Sequence, residues 1–122
     1  MKTNQQITGK SSEEIAIAFL KEKGYSILTR NYSYRKSEID IICKKKNMIV
    51  VVEVKSIKTL EFGFGEERIP WKKQRSIIKA TYGFLCENPV FQGKNIRFDV
   101  IVVNLYKQPI EINHYQAAFW KK

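Results

Sequence analysis

Two short stretches carry the residues best suited to chemistry in this chain. Ser37-Glu38-Ile39-Asp40 is followed, after twelve intervening residues, by Glu53-Val54-Lys55. Side chains alternate along a strand, so Glu53 and Lys55 share one face. The run around them, Ile49-Val50-Val51-Val52 and then Val54, is apolar. A glutamate and a lysine are costly to bury in such a run unless something pairs with them. A turn at Lys45-Lys46-Asn47 makes the flanking strands antiparallel neighbours, and a register centred near Lys46 sets Asp40 roughly opposite Glu53. Two carboxylates a few ångströms apart repel unless a positive charge lies between them. A hard divalent cation, Mg²⁺ or Mn²⁺, suits that position, and Lys55 completes the charge balance. Carboxylate-held metal beside a lysine is a donor set for phosphodiester hydrolysis. The ion makes a water nucleophilic and stabilises charge on the phosphate, while the lysine orients the water or screens developing charge.

The elements that must position these groups are legible in outline. Ser11 can cap a helix whose third residue on, Glu14, completes a capping box, and Gly24 follows its expected end near Lys23. On that helix Glu13 shares a stripe with Ala16, Ile17 and Leu20, so it should face inward and can join the site as an outer ligand. Strands are expected over Tyr25 to Tyr34, Glu38 to Lys44 and Met48 to Ser56, the last central because of its β-branched run. A loop over residues 57–68 contains Gly63 and Gly65. A long helix should run from Pro70, in its first turn, to Glu87, with an apolar stripe of Ile77, Thr81, Phe84 and Leu85. A fourth strand, Asn95 to Leu105, follows Asn88-Pro89, and Ile110 to Trp120 reads as a short strand and a helical turn. The order α-β-β-β-α-β implies an α/β fold with a mixed central sheet flanked by helices.

Composition sets the outer limits. The 122 residues suit one domain, residues 11–122, behind a polar, flexible start at residues 1–10. The net charge of +10 points to a polyanion or an anionic membrane surface as partner. The longest unbroken apolar run, Ile15 to Leu20, is far short of the ~18 residues of a membrane span. Met1 to Gln6 lacks the apolar centre of a secretion signal, so a cytoplasmic location is expected. Two distant cysteines, Cys43 and Cys86, and a single histidine, His114, argue against a disulfide scaffold, a Cys-rich zinc site and H-E-x-x-H chemistry. No glycine-rich phosphate loop supports nucleotide-cofactor chemistry.

An acidic residue followed by Glu-x-Lys on the next strand resembles the PD-(D/E)XK nuclease superfamily. A longer ordered set resembles the YraN-like family of endonuclease-related proteins. It comprises Glu13-x-x-Ala16, Gly24-Tyr25, Arg30-Asn31, Glu38-Ile39-Asp40, Val52-Glu53-Val54-Lys55, Lys73-Gln74, Arg97-Phe98-Asp99-Val100 and Ala118-Phe119. The resemblance covers roughly residues 9–120. It implies a restriction-endonuclease-like αβββαβ fold, an active site of Glu13, Asp40, Glu53 and Lys55, and Mg²⁺ as cofactor. The sequence departs from the family at Ser12 and Ser37, where glycine is usual, and at Ile57, where a basic residue is usual.

The first expectation is therefore a Mg²⁺-dependent DNA endonuclease, structure-selective rather than sequence-specific. Its metal ligands would be Asp40, Glu53 and Glu13. Holliday-junction resolvases share this site logic, size and basicity, so branched DNA and a homodimer belong to the same expectation. The second is a nucleic-acid-binding module without catalysis on a nuclease scaffold, and the third is a protein-interaction adaptor. Lys72, Arg75 and Lys79 form either a solvated helix face or a phosphate-binding stripe, with Lys73 and Gln74 as further DNA contacts. Arg97 and Asp99 read as a buried ion pair, and His114 as a surface or satisfied residue. Cys43 and Cys86 read as small buried hydrophobes. Phe62, Phe64 and Trp71 can stack on bases or pack under the loop.

Overall fold

A computed structural model describes residues 11–59 and 68–119. The chain runs α1 (Ser12–Glu22), β1 (Ser26–Tyr34), β2 (Ser37–Lys45), β3 (Met48–Ile57), α2 (Trp71–Glu87), a short 3₁₀ turn (Pro89–Phe91), β4 (Asn95–Asn104) and β5 (Glu111–Phe119). The capping box forms as the sequence implies. The Ser11 side chain accepts from the Glu14 N–H, the Glu14 carboxylate takes the Ser11 N–H, and Gly24 closes the helix at φ 94°. Pro70 lies one residue outside its expected place and caps α2 rather than opening it.

The five strands form one mixed sheet in the order β1-β2-β3-β4-β5. The β1-β2, β2-β3 and β4-β5 pairs are antiparallel. The β3 and β4 strands are parallel, in register from Met48–Asn95 to Ile57–Asn104. A parallel pair needs a crossover, and α2 supplies it. The fold class is as expected, α/β with a mixed sheet and a helix on each face, compatible with a restriction-endonuclease-like architecture. The last segment corrects the αβββαβ order to αβββαββ, because Glu111–Phe119 is a full strand rather than a short strand with a helical turn. Its pairing satisfies the outer edge of β4. A break in that ladder between Phe98 and Val100, with Ala117 at φ 52°, bends the strand at the place where the sequence suggests a helical turn.

Each sheet face buries one helix. Ala16, Ile17 and Leu20 of α1 pack with Tyr25, Ile41, Cys43, Val50, Val52, Ile101 and Val103. Ile77, Ile78, Ala80 and Phe84 of α2 pack with Ile39, Ile42, Ile49, Val51, Phe98, Val100 and Val102. The uninterrupted apolar run of β3 is thereby explained, since its odd and even residues feed different cores. Cys43 is buried as expected, and burial pushes its thiol up to about 12. Cys86 corrects the expectation: it is exposed on α2.

Residues Phe62, Gly63, Phe64 and Gly65, like the start of the chain, lie outside the described residues.

Candidate active site

The site begins with a fault in β2. Ile39 packs on the α2 side, while Ile41 and Cys43 pack on the α1 side, so the strand's alternation slips at Asp40. Asn31, at the matching position of β1, is left-handed with φ 54°. The β2-β3 ladder ends at Ile41–Val52, one step short of Asp40 and Glu53. Beyond that step the Val54 N–H would have no β2 carbonyl, and the Asp40 carboxylate takes it instead at 2.8 Å. Asp40 is thus drawn into the gap where the two strands part, between the two faces of the sheet.

Glu13 and Glu53 approach Asp40 from different sides. Glu13 comes from the first turn of α1, half-buried and 3.9 Å from Arg30. Burial raises its carboxyl above the ordinary carboxylate range, and neighbouring Asp40 raises it further against Arg30. Glu53 points toward α2 and is only 8 % exposed. Burial also raises its carboxyl, the bond from Lys73 opposes this, and Asp40 raises it again. The Lys73 Nζ lies 2.8 Å from the Glu53 Oε2. That contact holds the ammonium above its usual pKa. Lys55 lies two residues beyond Glu53, and its Nζ donates to the Arg68 carbonyl at 3.0 Å.

Asp40 therefore has Glu13 near it on one side and Glu53 on the other at the end of the β2-β3 ladder, with Lys73 on Glu53. Hard oxygen donors in this number suit Mg²⁺ or Mn²⁺ and suit no soft metal. Burial first, and the neighbouring Asp40 second, raise the Glu13 and Glu53 carboxyls. Among the described residues, no three His, Cys, Asp or Glu side chains are grouped so as to hold a metal ion. Lys73 holds one oxygen of Glu53, and the Val54 N–H holds one of Asp40.

Two serines flank the site as tethers. Ser12 on α1 shares a short hydrogen bond with Ser56 on β3. Ser76 on α2 donates to Ser37 on β2 at 2.7 Å. Ser12 and Ser37 are the two positions where the resemblance leads one to expect glycine. Each hydroxyl pins a helix to the strand beside a site residue. Sequence reasoning misses this role, because a serine in place of glycine signals nothing until its partner is known.

The remaining residues of interest scatter. Lys72, Arg75 and Lys79 are exposed on α2, and the Arg75 guanidinium lies 4.8 Å over the exposed Trp71 ring. Gln74 donates to the Ile69 carbonyl at 2.8 Å and so fixes the approach to α2. On the opposite face Asp99 is fully buried. It accepts from Arg97 at 2.9 and 2.8 Å and from the Ala117 N–H at 2.9 Å, and it bonds His114 Nε2 at 2.8 Å. The expected ion pair is present, and His114 is its satisfied partner.

Residues 12–103 match a family model described as uncharacterised protein family UPF0102. The chain belongs to UPF0102. This is the YraN-like, endonuclease-related group that the sequence resembles. The chain is similar to a UPF0102 protein of Flavobacterium psychrophilum, 37% identical over 92% of each chain. A UPF0102 protein of Natranaerobius thermophilus is 42% identical over 95% of this chain and 99% of its own. One from Clostridium beijerinckii is 41% identical over 97% and 96%. No helix among the described residues is long and apolar enough to cross a membrane.

Proposed function

We propose that this UPF0102 protein is a Mg²⁺- or Mn²⁺-dependent DNA endonuclease that selects DNA by structure rather than by sequence. The observation that carries the reading is the Asp40 carboxylate, taken out of strand pairing and fixed on the Val54 N–H between Glu13 and Glu53. A fold gains little stability from gathering carboxylates, so their gathering is better explained by a cation they hold. Asp40 and Glu53 would be the inner ligands and Glu13 an outer one. When bound, the ion would activate a water and stabilise charge on the scissile phosphate. Lys55, on the same strand face as Glu53, orients that water or screens the charge. The exposed Lys72, Arg75 and Lys79 supply sequence-independent backbone affinity. A basic helix face that meets phosphates carries no sequence information, so the reading extends to branched or flapped DNA and to a homodimer that cuts two strands.

The test is cleavage of duplex, single-stranded, flap and four-way-junction DNA with Mg²⁺ or Mn²⁺, comparing wild type with Glu53→Gln and Lys55→Ala. Metal-dependent cutting that vanishes in both variants supports the reading; absence of cutting on every substrate overturns it. One observation favours a second reading. Lys73 pairs with Glu53 at 2.8 Å, as a non-catalytic nucleic-acid-binding module on a nuclease scaffold would need. That module would bind DNA with the same affinity in EDTA as in Mg²⁺.

A further inference from the structure

We propose that Lys73 is the site's built-in cation. It occupies the place on Glu53 that a divalent ion takes, and loading the ion releases it toward a substrate phosphate. The inference rests on the metal-dependent reading above and deepens it. Glu53 is nearly buried, and among the described residues Lys73 is the cation in ion-pair contact with it, at 2.8 Å. Lys55, nearer in sequence, directs its Nζ to the Arg68 carbonyl at 3.0 Å instead. Asp40 has one oxygen committed to Val54. A metal reaching both carboxylates would lie beside the Lys73 ammonium on Glu53, and the repulsion between the two cations sets them in competition for that carboxylate.

Lys73 is well placed to leave. It stands in the first turns of α2, and its side chain is 51% exposed although its partner's is 9% exposed. Rotation of its flexible stem carries the ammonium toward solvent on a helix whose exposed residues include Lys72, Arg75 and Lys79. The first turn of α2 contains no acidic residue to recapture it. A phosphate on that face stabilises the released lysine, and release opens Glu53 to the metal. Metal and DNA should therefore bind cooperatively, each strengthening the other by the same factor.

Competition has a measurable size. Apparent affinity falls by the fraction of time the site is open, so a pair closed nine-tenths of the time weakens metal binding about tenfold. Lys73→Met keeps the stem and removes the competitor. Mn²⁺ titration followed by electron paramagnetic resonance should show the variant binding Mn²⁺ about tenfold more tightly. Duplex DNA should tighten Mn²⁺ binding to wild type and leave the variant unchanged. In EDTA the variant should melt below wild type, because a buried carboxylate has been left without its partner, and saturating Mn²⁺ should return the missing degrees.

A variant that melts lower with and without Mn²⁺, and binds the ion no more tightly, would make Lys73 an ordinary structural partner and overturn the proposal. Mn²⁺ binding to neither protein would sink the metal-dependent reading itself, and this inference with it. Cutting with unchanged affinities would sink only the inference. Should Lys73→Met fail to fold, Lys73→Gln, which retains a hydrogen-bond donor without the charge, carries the same expectations.

Discussion

Asp99→Asn should be among the most damaging conservative substitutions in this protein. The carboxylate is fully buried and receives two Arg97 hydrogen bonds, one from the Ala117 N–H, and a contact with His114. Arg97 is itself largely buried, with 18% of its side chain exposed, and its remaining bond goes to the Tyr25 hydroxyl. An asparagine of the same shape keeps one acceptor but turns an NH₂ group toward donors and leaves the guanidinium without a counter-charge. Removing one partner of a buried ion pair costs ~3–5 kcal/mol. At ~2.1 cal/mol/K per residue, the 122 residues give an unfolding entropy of ~0.26 kcal/mol/K. The expected fall in Tm is therefore about 12–19 °C. Calorimetry and urea melts measure it directly. Arg97→Met with Asp99→Leu should recover much of the loss, because the pair is then removed whole. A fall below about 4 °C, the equivalent of ~1 kcal/mol, would refute the claim that the charge is uncompensated without Asp99. The pH dependence gives a second check. Burial pushes the Asp99 carboxyl up, but His114, Arg97 and the Ala117 N–H outweigh it and hold the folded pKa below 3.8. The unfolded state thus binds the proton more readily. The stabilisation is complete above the unfolded pKa and is lost as pH falls from there through the folded value. Asp99→Asn should remove that part of the acid-unfolding limb.

Glu53→Gln should abolish metal-dependent cutting yet melt no lower than wild type in EDTA. The raised Glu53 carboxyl means that ionisation opposes folding once pH exceeds the unfolded pKa, and Lys73 is exposed enough to rehydrate; a clear drop in Tm would contradict this. Gly83→Ala should destabilise by ~1–3 kcal/mol, although alanine normally improves a helix, because its Cβ would lie 2.3–2.6 Å from the Tyr34 ring; urea melts decide the sign. Ser11→Ala should cost ~1 kcal/mol by removing the α1 cap, measured the same way. The logarithm of DNA affinity should fall linearly with the logarithm of salt concentration. Charge removal at Lys72, Arg75 and Lys79 should flatten that slope by ~0.9 for each duplex phosphate no longer neutralised; a wild-type response that is already flat would exclude a phosphate-binding role for this face.

The sequence carried the frame of the fold because its signals are local. Ser11 and Glu14 announce the helix start, Gly24 its end, and the valine run of β3 a strand covered on both sides. The β5 strand escapes for the opposite reason. Gln116-Ala117-Ala118 has no strand pattern: the ladder with β4 breaks there, Ala117 is left-handed, and its N–H goes to the Asp99 carboxylate, so only pairing on either side marks the segment as strand. Cys86 is misread from sequence because burial on α2 depends on which side of the helix meets the sheet, and position 86 falls away from the Ile77, Thr81 and Phe84 stripe.

The site is legible to the same extent and becomes illegible at the same point. Residue types and the hairpin register bring Asp40 and Glu53 together, because a two-residue turn at Lys46-Asn47 sets the pairing from Lys45–Met48 to Ile41–Val52. What a register cannot contain is the slip at Asp40, which places that carboxylate between a glutamate from one sheet face and one from the other. Nor can it contain Lys73, which is twenty residues beyond Glu53 in sequence and reaches it only because α2 crosses back over the sheet. Local patterns thus identify the carboxylates, while tertiary structure supplies the ammonium that pairs with one of them. That division gives Lys73→Met its force: it alters the charge at Glu53 that the strand pattern does not foretell.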